Sequence, residues 1–296
     1  MLDELLGIRY PVIQGGMAYA ATGRLAAACS EAGALGVIGS GGMNEADLIR
    51  EIHYVREHTS KPFGVNLVLT DPLFEVFAEL VIEEKVPIVT TGGGNPVKYI
   101  RKWKEAGCKV LPVIGNSAFT NILERAGADV IIAEGCESGG HIGDMNTMTL
   151  VPEVCKMTKL PVVAAGGIAT KCQFDAAIDL GACGVQMGTR FLASQECEIH
   201  SNYKQAILKA KGHNTVVTGR DLRNRVRQIK NRFTSEYMNL ELKGSTDEEL
   251  NIFAAGSLKK AAVFGDVEMG SIMAGQACGQ INEILSVKEI LERICG

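Results

Sequence analysis

Eight short apolar runs, each nearly free of polar gaps and each followed by a longer helical pattern, constrain this chain more than any other feature. They fall at residues 10–14, 36–39, 63–67, 86–90, 109–113, 129–133, 160–165 and 183–187. A strand with one wet face alternates apolar and polar residues. An uninterrupted run marks a strand covered on both faces, as in a parallel sheet. Residues 22–32, 44–58, 73–84, 95–106 and 117–126 carry helical periodicity between the runs. Asn44 offers an N-cap oxygen, with Glu45 and Asp47 in the first turn behind it. Four helical patterns run into Gly33, Gly107, Gly127 and Gly181, the residue that takes a left-handed C-cap without strain. Eight strand–helix units within residues 10–187 predict an α/β fold, a (β/α)8 TIM barrel. A doubly wound sheet is the alternative, but it seldom needs eight consecutive parallel units.

The rhythm breaks after strand 8. Residues 196–256 are polar and basic with helical stretches, and are expected to form a helical cap. Residues 1–195 plus 257–296 would then make the barrel, with a Gly-rich turn at 265–275 and a last helix at 283–294 closing its outer ring. The 296 residues, 46% hydrophobic and 22% charged, suffice for one large barrel. No apolar stretch reaches the ~18–20 residues of a membrane span, so no membrane association is expected. Met1-Leu2-Asp3-Glu4 carries two acids and no basic stretch, unlike an export signal. The nine Cys are scattered with no C-x-x-C spacing. They suggest neither a disulfide framework nor a metal site, and free thiols fit a reducing cytoplasm.

Chemistry in a barrel sits at the C-terminal ends of the strands. Strand 1 ends in Gln14-Gly15-Gly16-Met17, where two glycines let backbone approach a flat ligand. Strand 3 ends in Asn66, an amide that needs a partner after a buried run. Strand 4 runs into the open loop Thr91-Gly92-Gly93-Gly94-Asn95. The densest cluster follows strand 6: Glu134-Gly135-Cys136-Glu137-Ser138-Gly139-Gly140-His141-Ile142-Gly143. A histidine between glycines at this end can donate a proton near neutral pH. Strands 7 and 8 end in Ala165-Gly166-Gly167-Ile168 and Gln186-Met187-Gly188-Thr189-Arg190. Paired loops after these strands commonly bind phosphate through backbone N–H groups. Residue types and spacing alone reach a phosphate-binding barrel with a loop histidine. The phosphate could belong to a substrate or a cofactor.

Taken in order, Ile13 to Met17, Glu137 to Gly143, Ala164 to Ala169 and Gln186 to Phe191 resemble the nitronate monooxygenase/2-nitropropane dioxygenase-like flavoproteins. Within that superfamily the chain is similar to the flavin-dependent (type II) enoyl-acyl-carrier-protein reductases. His141-Ile142-Gly143 followed by Thr147 to Val151, His200 to Lys204, and Gly265 to Gln276 carry this finer resemblance. The resemblance implies FMN as cofactor and NADH or NADPH as co-substrate, with a monovalent cation as a further ligand that has no assigned position. It implies that Gly166, Gly167, Gly188 and Thr189 hold the FMN phosphate, with Met187 beside them. Gly15, Gly16 and Met17 would lie on the isoalloxazine ring, Asn66 and Gln186 at its edges, and Glu134 on the ribityl chain. Gly139 and Gly140 would pass beside the ring, His141 would face the substrate as the catalytic group, and Ser271, Met273 and Gln276 would cover the flavin.

The nitronate oxidases commonly carry His-Arg-Gly where this chain has His141-Ile142-Gly143. Ile142 removes an attraction for a small anion and suits an acyl chain, so the reductase is preferred. Nitronate monooxygenase is the alternative. A nucleotide dehydrogenase barrel would need a nucleophile such as Cys136, but the surrounding motif does not match. The expected partner is an acyl carrier protein bearing enoyl chains. Residues 201–233 hold nine basic residues (Lys204, Lys209, Lys211, Arg220, Arg223, Arg225, Arg227, Lys230 and Arg232) against Asp221 alone, in a chain of net charge −4. Such a surface could steer an acidic carrier. Nucleic acid is not expected, since no basic stripe interleaves with aromatics. A homodimer is expected.

Overall fold

The computed structural model describes residues 2–219 and 224–296. Eight parallel strands form the barrel: β1 (Val12–Gln14), β2 (Gly36–Gly39), β3 (Phe63–Val68), β4 (Ile88–Gly92), β5 (Lys109–Ile114), β6 (Ile131–Glu134), β7 (Val162–Ala165) and β8 (Gly184–Met187). β8 pairs with β1 at one end of the ladder, and β2 to β8 follow one another in order. The ring is completed by an Ile13–Leu35 bridge, in which Gln14 N–H donates to Leu35 O at 2.9 Å. All eight lie where the apolar runs place them, within two residues at each end.

The strands alternate between two cores, as period-two side chains must. Ile13, Val37, Ile88, Leu111, Ile132 and Val163 point into the barrel. Val12, Ile38, Val89, Val110, Ile131 and Val162 face the helices. Both sides are dry, which is why the runs lack polar gaps. The first helix, Leu2–Leu6, closes the bottom by burying Leu2 and Leu6 with the interior residues, each contributing roughly 1.5–3 kcal/mol. The last helix, Val287–Cys295, buries Val287, Ile290, Leu291 and Ile294. That i, i+3, i+4, i+7 stripe seals the outer ring. Asn44 caps Glu45–His58 through a reciprocal bond with Asp47, and Gly33, Gly107, Gly127 and Gly181 all take positive φ.

Residues 196–256 contain helices Ser201–Lys209, Arg232–Leu242 and Asp247–Ala254. Between the first two lies a hairpin that the helical reading omits: β9 (Thr215–Thr218) antiparallel to β10 (Val226–Ile229). The two-residue strand Gly140–His141 joins its edge, with Val226 opposite His141 and Arg227 opposite Gly140. The hairpin is thereby hydrogen-bonded to the loop after β6.

Candidate active site

A cavity of about 860 Å³ opens at the C-terminal ends of the strands, within the size range of small-molecule and cofactor sites. The structure brings together there Gly15, Gly16, Met17, Asn66, Glu134, Gly139, Gly140, His141, Gly166, Gly167, Gln186, Met187, Gly188, Thr189 and Met273. Ser271 and Gln276 lie outside the lining. Ser271 is buried and its hydroxyl donates to Gln228 Oε1 at 2.7 Å. The Gln276 side chain is exposed while its backbone N–H donates to Glu137 O at 2.9 Å. Both thus help hold the C-terminal segment in place.

The loop after β6 is tied down from several sides. Glu137 accepts the backbone N–H and the hydroxyl of Thr147 and so caps helix Thr147–Met157. Cys136 O accepts Arg227 Nε at 2.9 Å, and Ile142 N–H donates to Arg225 O at 3.0 Å. At Gly139 the backbone runs against the C-terminal segment: a Cβ there would stand 2.7 Å from Ala274 C and Gly275 N. Thr189 Oγ1 accepts Gly275 N–H at 2.9 Å, which leaves its own O–H to donate. Gly166 sits at φ +93°, where a side chain would be strained, and a Cβ would meet Gly135 O at 2.7 Å.

These features fit a bound FMN. Gly166, Gly167 and Gly188 form a cradle without side chains beside a hydroxyl free to donate. Asn66 packs on Gly16 and gives one amide bond to Thr90 Oγ1 at 2.9 Å. The Gln186 amide lines the cavity with no hydrogen-bond partner among the described residues. Glu134 shows part of its surface to the cavity but is walled by protein, and burial pushes its carboxyl up to about 7.

His141 is exposed to the cavity space, yet the mass of protein around that space lowers its pKa, and a hydrogen bond with Asn224 opposes the shift. Apart from the glycines, the cavity lining carries apolar Ile142, Phe119, Leu258 and Met273 together with polar Asn116, Tyr203 and Asn224. Arg225 is the one cationic side chain lining the cavity among the described residues, and it pairs with Asp144. Tyr203, Asn224 and Arg225 were not singled out as site residues by sequence reasoning. Tyr203 is buried, with its hydroxyl donating to Met273 O at 2.8 Å. The motif His200 to Lys204 was the one available signal for it.

The basic segment is not one basic surface. Lys204 is buried and donates to Ser194 O, and Arg227 is buried between Cys136 O and Thr215 Oγ1. Lys209, Lys211, Lys230 and Arg232 are exposed. Arg220, Asp221 and Arg223 lie outside the described residues. Among the described residues no group of His, Cys, Asp and Glu is arranged to hold a metal ion, and no helix is long and apolar enough to cross a membrane.

The family model for nitronate monooxygenase matches residues 1–296. A probable nitronate monooxygenase of Staphylococcus aureus strain MSSA476 is 34% identical over 323 aligned positions, covering 93% of this chain and 91% of that protein. FabK from Thermotoga maritima superposes with a TM-score of 0.97 at 48% identity, over 99% of this chain and 94% of that one. The nitroalkane oxidase from Streptomyces ansochromogenes superposes at 0.86 with 27% identity, over 99% and 96%. With a glycine-lined cavity at the mouth of the barrel and a match along its whole length, the chain belongs to the nitronate monooxygenase family of flavin-type oxidoreductases.

Proposed function

We propose that this protein is an FMN-dependent enoyl-acyl-carrier-protein reductase of the cytoplasm, reducing the trans-2 double bond of enoyl thioesters with NADH or NADPH. The observation that carries the reading is the wall around His141. His141 lines the same cavity as apolar Ile142, Phe119, Leu258 and Met273, a set of side chains that suits an apolar chain better than a small anion. Arg225 does not replace the missing cation, because Asp144 neutralises it. The 48% identity to FabK, against 27% to the nitroalkane oxidase, supports the same choice.

Bound FMN would supply the redox chemistry, carrying reducing equivalents from the nicotinamide to the enoyl double bond. Gly166, Gly167, Gly188 and Thr189 would hold its phosphate by backbone N–H groups and the free hydroxyl. Gly15, Gly16 and Met17 would form the shelf under the ring, Asn66 and Gln186 would meet its polar edges, and Glu134 the ribityl chain. His141 delivers a proton to the substrate. An acyl chain seated against Ile142, Phe119, Leu258 and Met273 would displace water and strengthen that donor's interaction. The exposed lysines of the cap would meet an acidic carrier protein.

The test is anaerobic mixing of flavin-loaded protein with NADH or NADPH, followed through the flavin's visible absorbance, then addition of crotonyl thioester. Bleaching by nicotinamide and recovery on adding the thioester is expected. Bleaching by an alkyl nitronate and by neither nicotinamide would replace this reading with nitronate oxidation.

A further inference from the structure

The loop that carries His141 has little stiffness of its own, since Gly139, Gly140 and Gly143 flank the residue and Gly140 sits at φ +78°. Its restraint comes from another part of the chain. Val226 lies opposite His141 in the antiparallel ladder, and Arg225 O holds Ile142 N–H at 3.0 Å. Continuing that register puts Asn224, two residues before Val226, on the same face as His141 and diagonal to it. Diagonal neighbours stand ~7–8 Å apart between backbones, within reach of a long side chain. Asn224 also lines the cavity with His141. An amide oxygen that accepts a ring N–H favours the protonated ring, the direction in which Asn224 acts on His141.

We infer that Asn224, on the cap hairpin, is a positioning residue that takes one ring N–H of His141 and so turns the other ring nitrogen toward the substrate. This rests on the role of His141 proposed above and narrows it. In the neutral ring the nitrogen facing the cavity then has a lone pair and no proton to offer. His141 therefore acts as the imidazolium, a general acid. While the β-carbon takes the hydride that a bound flavin would supply, the π electrons of the double bond form the new α-carbon C–H bond with the ring proton. The ring becomes neutral, and solvent returns its proton. The charged groups on the elements around it are Glu134, Glu137 and Asp144 on the loop, and Arg225 and Arg227 on the hairpin. Asp144 and Arg225 pair with each other, and Arg227 is bonded to Cys136 O and Thr215 Oγ1.

The experiment pairs a direct readout with a kinetic one. Ring ¹⁵N NMR of the flavin-loaded protein reports the pKa and tautomer of His141. In Asn224→Ala the pKa should fall and the neutral ring should populate both tautomers. In Asn224→Asp the pKa should rise, because a carboxylate stabilises the cation. Stopped-flow of the enoyl half-reaction should slow roughly tenfold in Asn224→Ala, the equivalent of one ordinary hydrogen bond, and by more than reduction by nicotinamide slows. That half-reaction should also lose rate as pH rises through the His141 pKa, at a higher pH in Asn224→Asp. Asn224→Ala added to His141→Ala should have no further effect. An unchanged tautomer and pKa in Asn224→Ala, or an equal loss in the His141→Ala background, would overturn the inference. Full activity of His141→Ala would instead remove the proposed role of His141, while the NMR titration would still decide whether Asn224 holds the ring.

Discussion

Glu134 closes a buried strand, and burial holds its carboxyl near 7. Between the ordinary carboxylate range and 7 the folded protein keeps a proton that the unfolded chain has released, so stability falls as pH rises through that window. The shift corresponds to at most about 3 kcal/mol, reduced by water entering the cavity. Glu134→Gln should therefore flatten the stability profile of the flavin-free protein between pH 5 and 7, as read by urea unfolding at each pH. An unchanged slope would show that another group titrates there. Gly139→Ala makes a steric prediction: its Cβ collides with backbone at Ala274 and Gly275, so the loop must shift. A loss of about 1–3 kcal/mol in stability is expected, with weaker flavin retention on gel filtration. Single residues were legible where they lie on the strand ends: the glycine loops, Asn66, Gln186 and His141 all line one cavity. Roles set by a distant partner were not. Lys204 and Arg227 read as surface charge, because composition records a cation and not the carbonyl that buries it. Asn224 comes near His141 only because Val226, two residues on, pairs with it across the ladder.

At the level of elements, the barrel was legible because each strand is dry on both faces and each turn carries its own punctuation. The hairpin of β9 and β10 was not. Val216 and Gln228 are both buried, yet Thr215, Arg227 and Gln228 break the apolar run, since their polar atoms are bonded to one another and to loops. The weakest seam is the one between β1 and β2, which share a single bridge. Gln14 spans it: its amide accepts Val37 N–H at 3.1 Å and donates to Val37 O at 3.2 Å, copying a strand's two bonds with a side chain. Gln14→Leu keeps the bulk but leaves both Val37 groups buried and unpaired. A loss of roughly 2–4 kcal/mol is expected, measured by denaturant unfolding. A loss below about 1 kcal/mol would show that the Ile13–Leu35 bridge closes the barrel unaided.

Across the whole molecule the apolar interior is unevenly divided. The barrel's two cores hold its strands and outer helices, whereas helices Arg232–Leu242 and Asp247–Ala254 rest on a small cluster of Phe233, Tyr237 and Leu250. Phe253 stacks on Phe233 at 5.3 Å between ring centroids. The polar ties from these helices include Asn231 Nδ2 to Val267 O and Gly270 O, Phe233 N–H to Glu268 O, and Gly219 N–H to Glu241 Oε1. Regions with little buried apolar surface open at lower free energy than the global transition. Helices Arg232–Leu242 and Asp247–Ala254 should thus exchange their amide hydrogens well before β1 to β8. Phe233→Ala removes about 3–5 kcal/mol from that cluster and should accelerate exchange in those two helices while leaving the barrel strands protected. The hairpin that holds the His141 loop pairs directly with it and should keep its own protection. Equal acceleration in barrel and cap would show instead that the chain opens as one cooperative unit.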